Sequence, residues 1–143
     1  MKLFIFPKKS ALINNLVILL VRIFIGISMI FIHVVPKLEM LFKGEEIKFY
    51  DFIGLGDRNT LIVAIILELV FSFMLIIGLF TRISSMVISC IMIIAAFVVN
   101  GAQPLSSKEL SLLYLTIYIF IIAFGPGKYS IDQMILKKRD LSF

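Results

Sequence analysis

Four long apolar runs constrain this chain more than any other feature of its sequence. Each approaches the roughly 20 residues that an α-helix needs to cross the ~30 Å hydrocarbon core of a bilayer. Because 61% of the side chains are hydrophobic, far above the roughly 45–50% typical of soluble domains, their solvent must be lipid. The sequence therefore predicts an all-α fold, a four-helix transmembrane bundle, with spans at residues 12–35, 61–80, 83–99 and 110–124.

Turn-forming residues separate the four runs. Pro36 is expected to end the first span, because proline breaks the hydrogen bonding of a helix interior. Gly78 and Arg82 favour a tight turn between the second and third spans, residues 100–104 favour a reversal, and residues 125–127 (Gly-Pro-Gly) end the fourth. No linker or repeat divides the chain, so residues 1–143 are interpreted as a single domain.

Two shorter segments are predicted to lie along the membrane surface as interfacial helices. Residues 45–53 mix aromatic and charged side chains, which is typical of a helix in the plane of the interface. Ser130 and Gln133 have the spacing of a capping box, and the helix that they introduce ends in the basic residues 137–139, which suit anionic lipid.

Basic residues are distributed unevenly between the two faces of the predicted bundle. Eight fall on the face shared by the termini and five on the other, where six acids accompany them. Under the positive-inside rule both termini are expected in the cytoplasm, with the first span retained as an uncleaved anchor. These residues collect at the ends of apolar runs and form no groove with interleaved aromatics, so nucleic-acid binding is not expected. The eight are Lys2, Lys8, Lys9, Arg82, Lys128, Lys137, Lys138 and Arg139; the five are Lys37, Lys43, Lys48, Arg58 and Lys108.

Several kinds of chemistry are not expected within one chain. The single cysteine, Cys90, can form neither an intramolecular disulfide nor a CxxC redox pair. A single histidine, His33, offers only one axial ligand for haem, and no metal-binding cluster or phosphate-binding loop is present. Any catalysis would need a lipid-soluble cofactor or another subunit.

Two charged residues lie deep inside the predicted spans, where an ionisable side chain costs several kcal/mol unless it is paired or hydrated. Arg22 lies about ten residues into the first span, and Glu68 lies about seven residues into the second from the opposite face. At about 1.5 Å per residue, their Cα depths differ by only ~4 Å. We therefore predict an Arg22–Glu68 ion pair, which could either dock the two spans or form part of a functional site.

Polar residues also recur at helical spacing on two spans. One face of the first span carries Arg22, Gly26, Met29, His33 and Lys37, and Gly26 is expected to allow close helix approach. One face of the fourth span carries a second stripe, Ser111, Tyr114 and Tyr118. With the polar outer ends of spans three and four, these residues suggest an outward-opening polar pocket above the predicted ion pair. The candidate ligand-binding residues are Arg22, His33, Lys37, Glu68, Asn100 and Tyr114, near Gln103, Glu109 and Ser111; Arg22, Glu68 and His33 are the catalytic candidates, and no metal ligands are proposed.

Several of these elements together resemble the DoxX family of bacterial membrane proteins over about residues 16 to 135. The most specific match is the tail motif Gly-x-Gly-Lys/Arg-Tyr-Ser-Leu/Ile-Asp, at residues 125–132. Val34-Val35-Pro36 depart from the family pattern, in which a glycine often precedes the basic end of the first helix. The other matching elements are Arg22-x3-Gly26, His33-x3-Lys37-Leu38, Phe52-Ile53-Gly54-Leu55, and Glu68 followed by the run to Gly-Leu-x-Thr-Arg at Arg82.

The resemblance implies a four-helix bundle in the bacterial inner membrane. It also implies a link, in some relatives, to a thiosulfate:quinone oxidoreductase and, in others, to membrane assemblies that handle oxidative stress. By this analogy the chain is a multi-pass subunit of a quinone-linked redox complex, with a quinone held on the Arg22, His33 and Lys37 face. The alternative is a non-enzymatic anchor or assembly protein that contacts membrane or periplasmic partners through residues 36–59. A small transporter or proton path is a third interpretation, which the lack of an inverted repeat makes less attractive.

Overall fold

A computed structural model describes residues 10–43 and 47–140 of the chain. Within these ranges every regular element is helical, and four continuous helices are long and apolar enough to cross a membrane, at Leu12–Phe42, Asp57–Ile77, Thr81–Val99 and Leu105–Phe124. The predicted all-α fold class with four spans is thus confirmed. The elements are α1 (Ser10–Met29), a first π-helical segment (Ile30–Val34), α2 (Val35–Phe42), α3 (Asp57–Ile77), α4 (Thr81–Ile93), a second π-helical segment (Ile94–Val99), α5 (Leu105–Phe124) and α6 (Ile131–Asp140).

The two ends of the bundle differ in the segments that lie against them. The end at which α3 joins α4 and against which α6 lies is called the α6 face, because Asp132 of α6 accepts hydrogen bonds from the start of α4. The opposite end carries the connections at residues 47–56 and 100–104, and it is called the loop face. The three basic residues that end α6 therefore belong to the α6 face, whereas Lys2, Lys8 and Lys9 of the sequence count lie outside the described residues.

The first span does not end at Pro36, which corrects the sequence prediction. Pro36 is the second residue of α2, and the chain passes into α2 through the π-helical segment. The backbone N–H of Val35 bonds to the carbonyl of Ile30, five residues back, and this wider turn leaves room for the proline ring. The helix consequently continues to Phe42 and carries Lys37 on a rigid helical backbone.

The predicted interfacial helix at residues 45–53 is wrong for the part that the structure describes, since residues 47–53 are not helical and residues 45 and 46 lie outside the described ranges. Asp51 organises this segment instead. Its carboxylate accepts hydrogen bonds from the backbone amides of residues 53–56 and from the hydroxyl of the buried Thr60, at 2.5–3.3 Å. The left-handed φ angles of Gly54 and Gly56, +81° and +88°, let the backbone wrap around one carboxylate.

The second predicted interfacial helix is present as α6. The Ser130 hydroxyl accepts a hydrogen bond from the Gln133 amide at 3.2 Å, as the capping-box spacing predicted. The helix ends in the basic residues 137–139, which complement the negative end of its dipole.

Packing around the bundle is uneven. α3 packs against α1 and α4, and α4 packs against α5, whereas the contact between α1 and α5 is sparse. Gly26 allows the close approach of α1 and α3 that the sequence predicted, since a Cβ there would lie 2.5 Å from Ile76 and 3.2 Å from the Ser72 carbonyl. Between α1 and α5 the surface forms an apolar groove of about 400 Å³, lined by Asn14, Val17, Ile18, Val21, Ile117, Phe120, Ile121 and Phe124.

Candidate functional site

Arg22 and Glu68 do not form the predicted ion pair. The Arg22 side chain, only 1% exposed, turns toward the α6 face and donates hydrogen bonds to four backbone carbonyls. Two are at the C-terminal end of α3, with Nε 3.0 Å from the Leu75 oxygen and Nη2 3.3 Å from the Ile76 oxygen. The other two acceptors, Pro126 and Tyr129, belong to the segment between α5 and α6.

The direction in which side chains leave a helix explains this error. Each Cα–Cβ bond tilts toward the N-terminus of its own helix. Because α1 and α3 are antiparallel, Arg22 leans toward the α6 face and Glu68 leans toward the loop face, so the two charges move apart from Cα atoms of similar depth. Depth along the membrane normal was the wrong measure on which to pair them.

Arg22 instead stabilises the α6 face. Its guanidinium donates to two carbonyls of the last turn of α3, at the negative end of the helix dipole. Gly78, with φ +74°, is required beside it, because a Cβ there would lie 2.7 Å from Arg22 Nη2 and 2.7 Å from Ser130 Cβ. Asp132 completes the junction by accepting hydrogen bonds from the amides of Phe80 and Thr81 at 2.7 and 2.8 Å. The tail motif at residues 125–132 is thus explained by contacts that hold this face together.

Glu68 has Lys37 as its partner. The ammonium of Lys37 donates a hydrogen bond to Glu68 Oε1 and forms an ion pair with it. Here the antiparallel geometry favours the contact, since Lys37 leans back into the membrane while Glu68 leans outward to meet it. The Glu68 side chain is 0% exposed and that of Lys37 is 19% exposed. The carboxylate is therefore fully buried, and the pair reaches the surface of the bundle through the lysine.

Aromatic and polar residues gather around this pair inside the bundle. The His33 ring meets the Tyr114 ring edge-on with centroids 5.0 Å apart, and Tyr114 lies 6.2 Å from Tyr118. Tyr118 is within electrostatic range of Glu68. We call the residues His33, Lys37, Glu68, Tyr114 and Tyr118 the Glu68 cluster.

Three buried polar atoms of the Glu68 cluster have no hydrogen-bond partner among the described residues. They are His33 Nε2, Glu68 Oε2 and the Tyr118 hydroxyl. Burying a polar group without a partner destabilises the folded protein, because the group gives up its hydrogen bonds to water. Such groups therefore mark positions where a water, an ion or a ligand group completes the hydrogen bonding. The arrangement therefore offers both hydrogen-bond donors and acceptors to a bound molecule.

The remaining sequence candidates are not all brought to the cluster. Asn100 caps the second π-helical segment by donating its side-chain amide to the Ala95 carbonyl at 3.0 Å. Gln103 and Glu109 are exposed, whereas Ser111 is buried on α5 one turn from Tyr114. Of the six predicted ligand-binding residues, four meet in the Glu68 cluster, and Arg22 and Asn100 serve the helix ends instead.

Sequence reasoning also missed buried hydroxyl groups. Thr81, Ser85 and Ser89 follow one another at four-residue spacing on α4 and face inward, as does Ser72 on α3. Their period of four, which marks one helical face, is the sequence signal that identifies the three residues on α4. Tyr118, by contrast, lies one turn from Tyr114 and belongs to the polar stripe that the sequence predicts on the fourth span.

The DoxX family profile matches residues 17–101, which include most of the first span, the second and third spans and the Lys37–Glu68 pair, but not the tail motif. An uncharacterized protein of Haemophilus influenzae is 34% identical over 92 residues, which cover 59% of this chain and 68% of that protein. No solved structure gives a significant match.

Proposed function

Because this chain belongs to the DoxX family, we propose that it is a membrane subunit of a redox complex and that it binds a quinone-type ligand at the Glu68 cluster. One observation carries the proposal: a lysine–glutamate pair in the membrane lies beside three buried polar atoms that have no partner among the described residues. Ionisable residues at this depth are costly to bury, and they mark sites of ligand or proton handling.

The polar atoms of the cluster match the head group of a quinone. Lys37 and the Tyr118 hydroxyl can donate hydrogen bonds to carbonyl oxygens, whereas Glu68 Oε2 can accept one from the hydroxyl of a quinol. A quinone carries two electrons and two protons when it is reduced. Glu68 would hold a proton within the cluster, and Lys37 would stabilise the carboxylate after that proton leaves.

The sparse contact between α1 and α5 supports access from the lipid. The apolar groove between these helices would accept a hydrophobic tail, since its walls are branched aliphatic and aromatic side chains. A second, neighbouring apolar groove includes Phe24 and Ile25. Ser28, one turn further along α1, lies beside Tyr114 of the Glu68 cluster. A tail lying in these grooves would thus point its head group toward the polar residues.

Bound quinone after purification in mild detergent tests the proposal. Glu68→Gln keeps the size of the side chain but removes its charge, and we expect it to lower the quinone content at least tenfold, about 1.4 kcal/mol in binding free energy. Thr116→Val is the matched control, because the Thr116 hydroxyl is exposed on α5 and bonds only to the Leu112 carbonyl of its own helix. Wild-type quinone content in a folded Glu68→Gln protein would refute the assignment.

We further propose that the α6 face is cytoplasmic and that the membrane is the bacterial inner membrane. Support comes from Lys137, Lys138 and Arg139 at the end of α6, which suit an anionic cytoplasmic leaflet. Cysteines introduced at Lys137 and at Asp57 can be labelled in intact cells with an impermeant maleimide in a Cys90→Ser background. Labelling of the Lys137 position in preference to the Asp57 position would reverse the proposed orientation.

The segment at residues 47–56 favours a second function, the binding of a partner protein. Asp51 fixes its backbone, and Tyr50, Ile53 and Leu55 present exposed apolar surface, 45–52% exposed. A rigid, apolar loop is suited to protein contact at the membrane surface. Co-purification with Tyr50→Ser and Ile53→Ser variants tests this: loss of a stable partner from a protein that never contains quinone would favour the anchor function over the redox function.

A further inference from the structure

A line of hydroxyl groups extends the Glu68 cluster toward the α6 face. Each of these side chains is at most 7% exposed, and each hydroxyl oxygen has no hydrogen-bond partner among the described residues. We call this set the hydroxyl seam, and it consists of Thr81, Ser85 and Ser89 on α4, Ser72 on α3 and Tyr118 on α5.

Helical spacing relates the seam residues to one another and to Glu68. Thr81, Ser85 and Ser89 recur every fourth residue and therefore share one face of α4, the helix that packs between α3 and α5. Ser72 lies one turn from Glu68 on α3, nearer the α6 face, so it continues the line from the carboxylate. The neighbouring Ser84 is different, because its hydroxyl bonds to the Leu79 carbonyl at 3.4 Å.

Buried hydroxyls in a membrane need partners, because the lipid supplies none. Successive turns of a helix are about 5.4 Å apart, and one water with two hydrogen bonds of about 2.8 Å spans that distance. Single waters between successive seam hydroxyls would thus give each oxygen a partner and each water at least two, as buried waters require.

A carboxylate lies at each end of the hydroxyl seam. At the α6 face, Asp132 accepts a hydrogen bond from the amide of Thr81, the first residue of the seam. Toward the loop face, Ser72 of the seam lies one turn from Glu68, whose Oε2 has no partner among the described residues and whose Oε1 accepts a hydrogen bond from Lys37. Carboxyl groups joined by hydroxyls and water are the components of a proton relay.

We infer that the hydroxyl seam is a hydrated proton path from the α6 face to Glu68, closed at the loop-face end by the Lys37–Glu68 ion pair. The charged and titratable groups that face the path are Lys37 and His33 from the first span, Tyr118 from α5, and Asp132 with the nearby Arg22 at the α6 face. The inference goes beyond quinone binding and does not require it, because it rests on hydroxyls that have no partner in the described part of the chain and on the buried Lys37–Glu68 pair.

Removing the closing residue tests the path by gain of function. The full chain carrying Lys37→Met is reconstituted into liposomes loaded with a pH-sensitive dye, with valinomycin and K⁺ clamping the membrane potential. We expect proton influx severalfold faster than in wild-type or protein-free liposomes, because Glu68 then exchanges protons with the loop face. Adding Ser85→Ala and Ser89→Ala should return the rate to the wild-type value, whereas adding the matched control Ser84→Ala should leave it high.

Other outcomes would overturn the inference. Wild-type proton influx in Lys37→Met, or equal influx with and without the Ser85 and Ser89 hydroxyls, would show that the seam carries no protons. An equal rise in Na⁺ influx would identify a non-specific leak. Lys37→Gln provides the same test if the methionine variant does not reconstitute in folded form. Quinone content of the Ser85→Ala/Ser89→Ala protein, expected at the wild-type value, separates failure of the path from failure of the proposed function.

Discussion

Replacing Lys37 with Met and Glu68 with Gln, singly and together, measures the pairing that distinguishes this structure from the sequence prediction. Lys37→Met leaves a carboxylate that is 0% exposed without its partner, so we expect a loss of about 3–5 kcal/mol in the free energy of unfolding. Glu68→Gln leaves a lysine that is 19% exposed and can extend toward the loop face, so the expected loss is about 1–2 kcal/mol. The double variant buries no lone charge, and its loss should stay near that of Glu68→Gln alone.

The double-mutant cycle for Lys37 and Glu68 should therefore give a coupling energy of about 3–5 kcal/mol, the full loss expected for Lys37→Met alone. Unfolding by SDS in mixed micelles, followed by circular dichroism, supplies the four free energies of unfolding. A second cycle combines Arg22→Lys with Glu68→Gln, and it should be additive within about 0.5 kcal/mol, because these side chains share no partner. Strong coupling between Arg22 and Glu68, with additivity between Lys37 and Glu68, would refute the side-chain directions on which the site is built.

Three further predictions concern the two faces of the bundle. Gly78→Ala should lower the free energy of unfolding by about 3 kcal/mol or more, because a residue with left-handed φ gains a side chain where space is already occupied. Gly54→Ala is the control: its φ is +81° but no described atom lies within 4 Å of the added Cβ, so it should cost only about 1–2 kcal/mol in the same SDS titration. Hydrogen bonds lower the pKa of Asp51 from 3.8 to about 2; the bond from the Thr60 hydroxyl has the largest effect, and those from backbone amides come next. The contribution of the ionised Asp51 carboxylate to loop stability is therefore complete above pH 3.8 and is lost as the pH falls through 2. Limited proteolysis of residues 47–56 by pepsin should accelerate over that range in the wild-type protein. The same pH profile of proteolysis in Asp51→Asn and in the wild type would contradict this role of Asp51. Asp132→Ala removes the acceptor for two amides at the start of α4, so amide hydrogen exchange at Thr81 should accelerate; exchange at the wild-type rate would show that the cap is dispensable.

Patterns local to the chain made the bundle predictable. A helix in lipid satisfies its own backbone hydrogen bonds, so length and hydropathy alone identify a span, and the capping-box spacing at Ser130 identified the start of α6. The boundary at Pro36 failed because a five-residue hydrogen bond inside the helix makes room for the proline, and side-chain spacing does not encode that adjustment. The helix expected at residues 45–53 failed because one carboxylate, that of Asp51, gathers the backbone amides into a turn.

The sequence by itself determined that the chain lies in a membrane, that four helices cross it, and which charged side chains must be sheltered between them, because an unpaired charge in hydrocarbon costs several kcal/mol. Tertiary structure alone decided which charges meet. Side chains of antiparallel helices lean in opposite directions. Glu68 therefore meets Lys37, which lies nearer the loop face on the first span, whereas Arg22 extends toward the α6 face and binds the carbonyls beside Gly78. The rotation and packing of the helices, which no single segment encodes, place Arg22 at the α6 face, where it stabilises helix ends instead of pairing with Glu68.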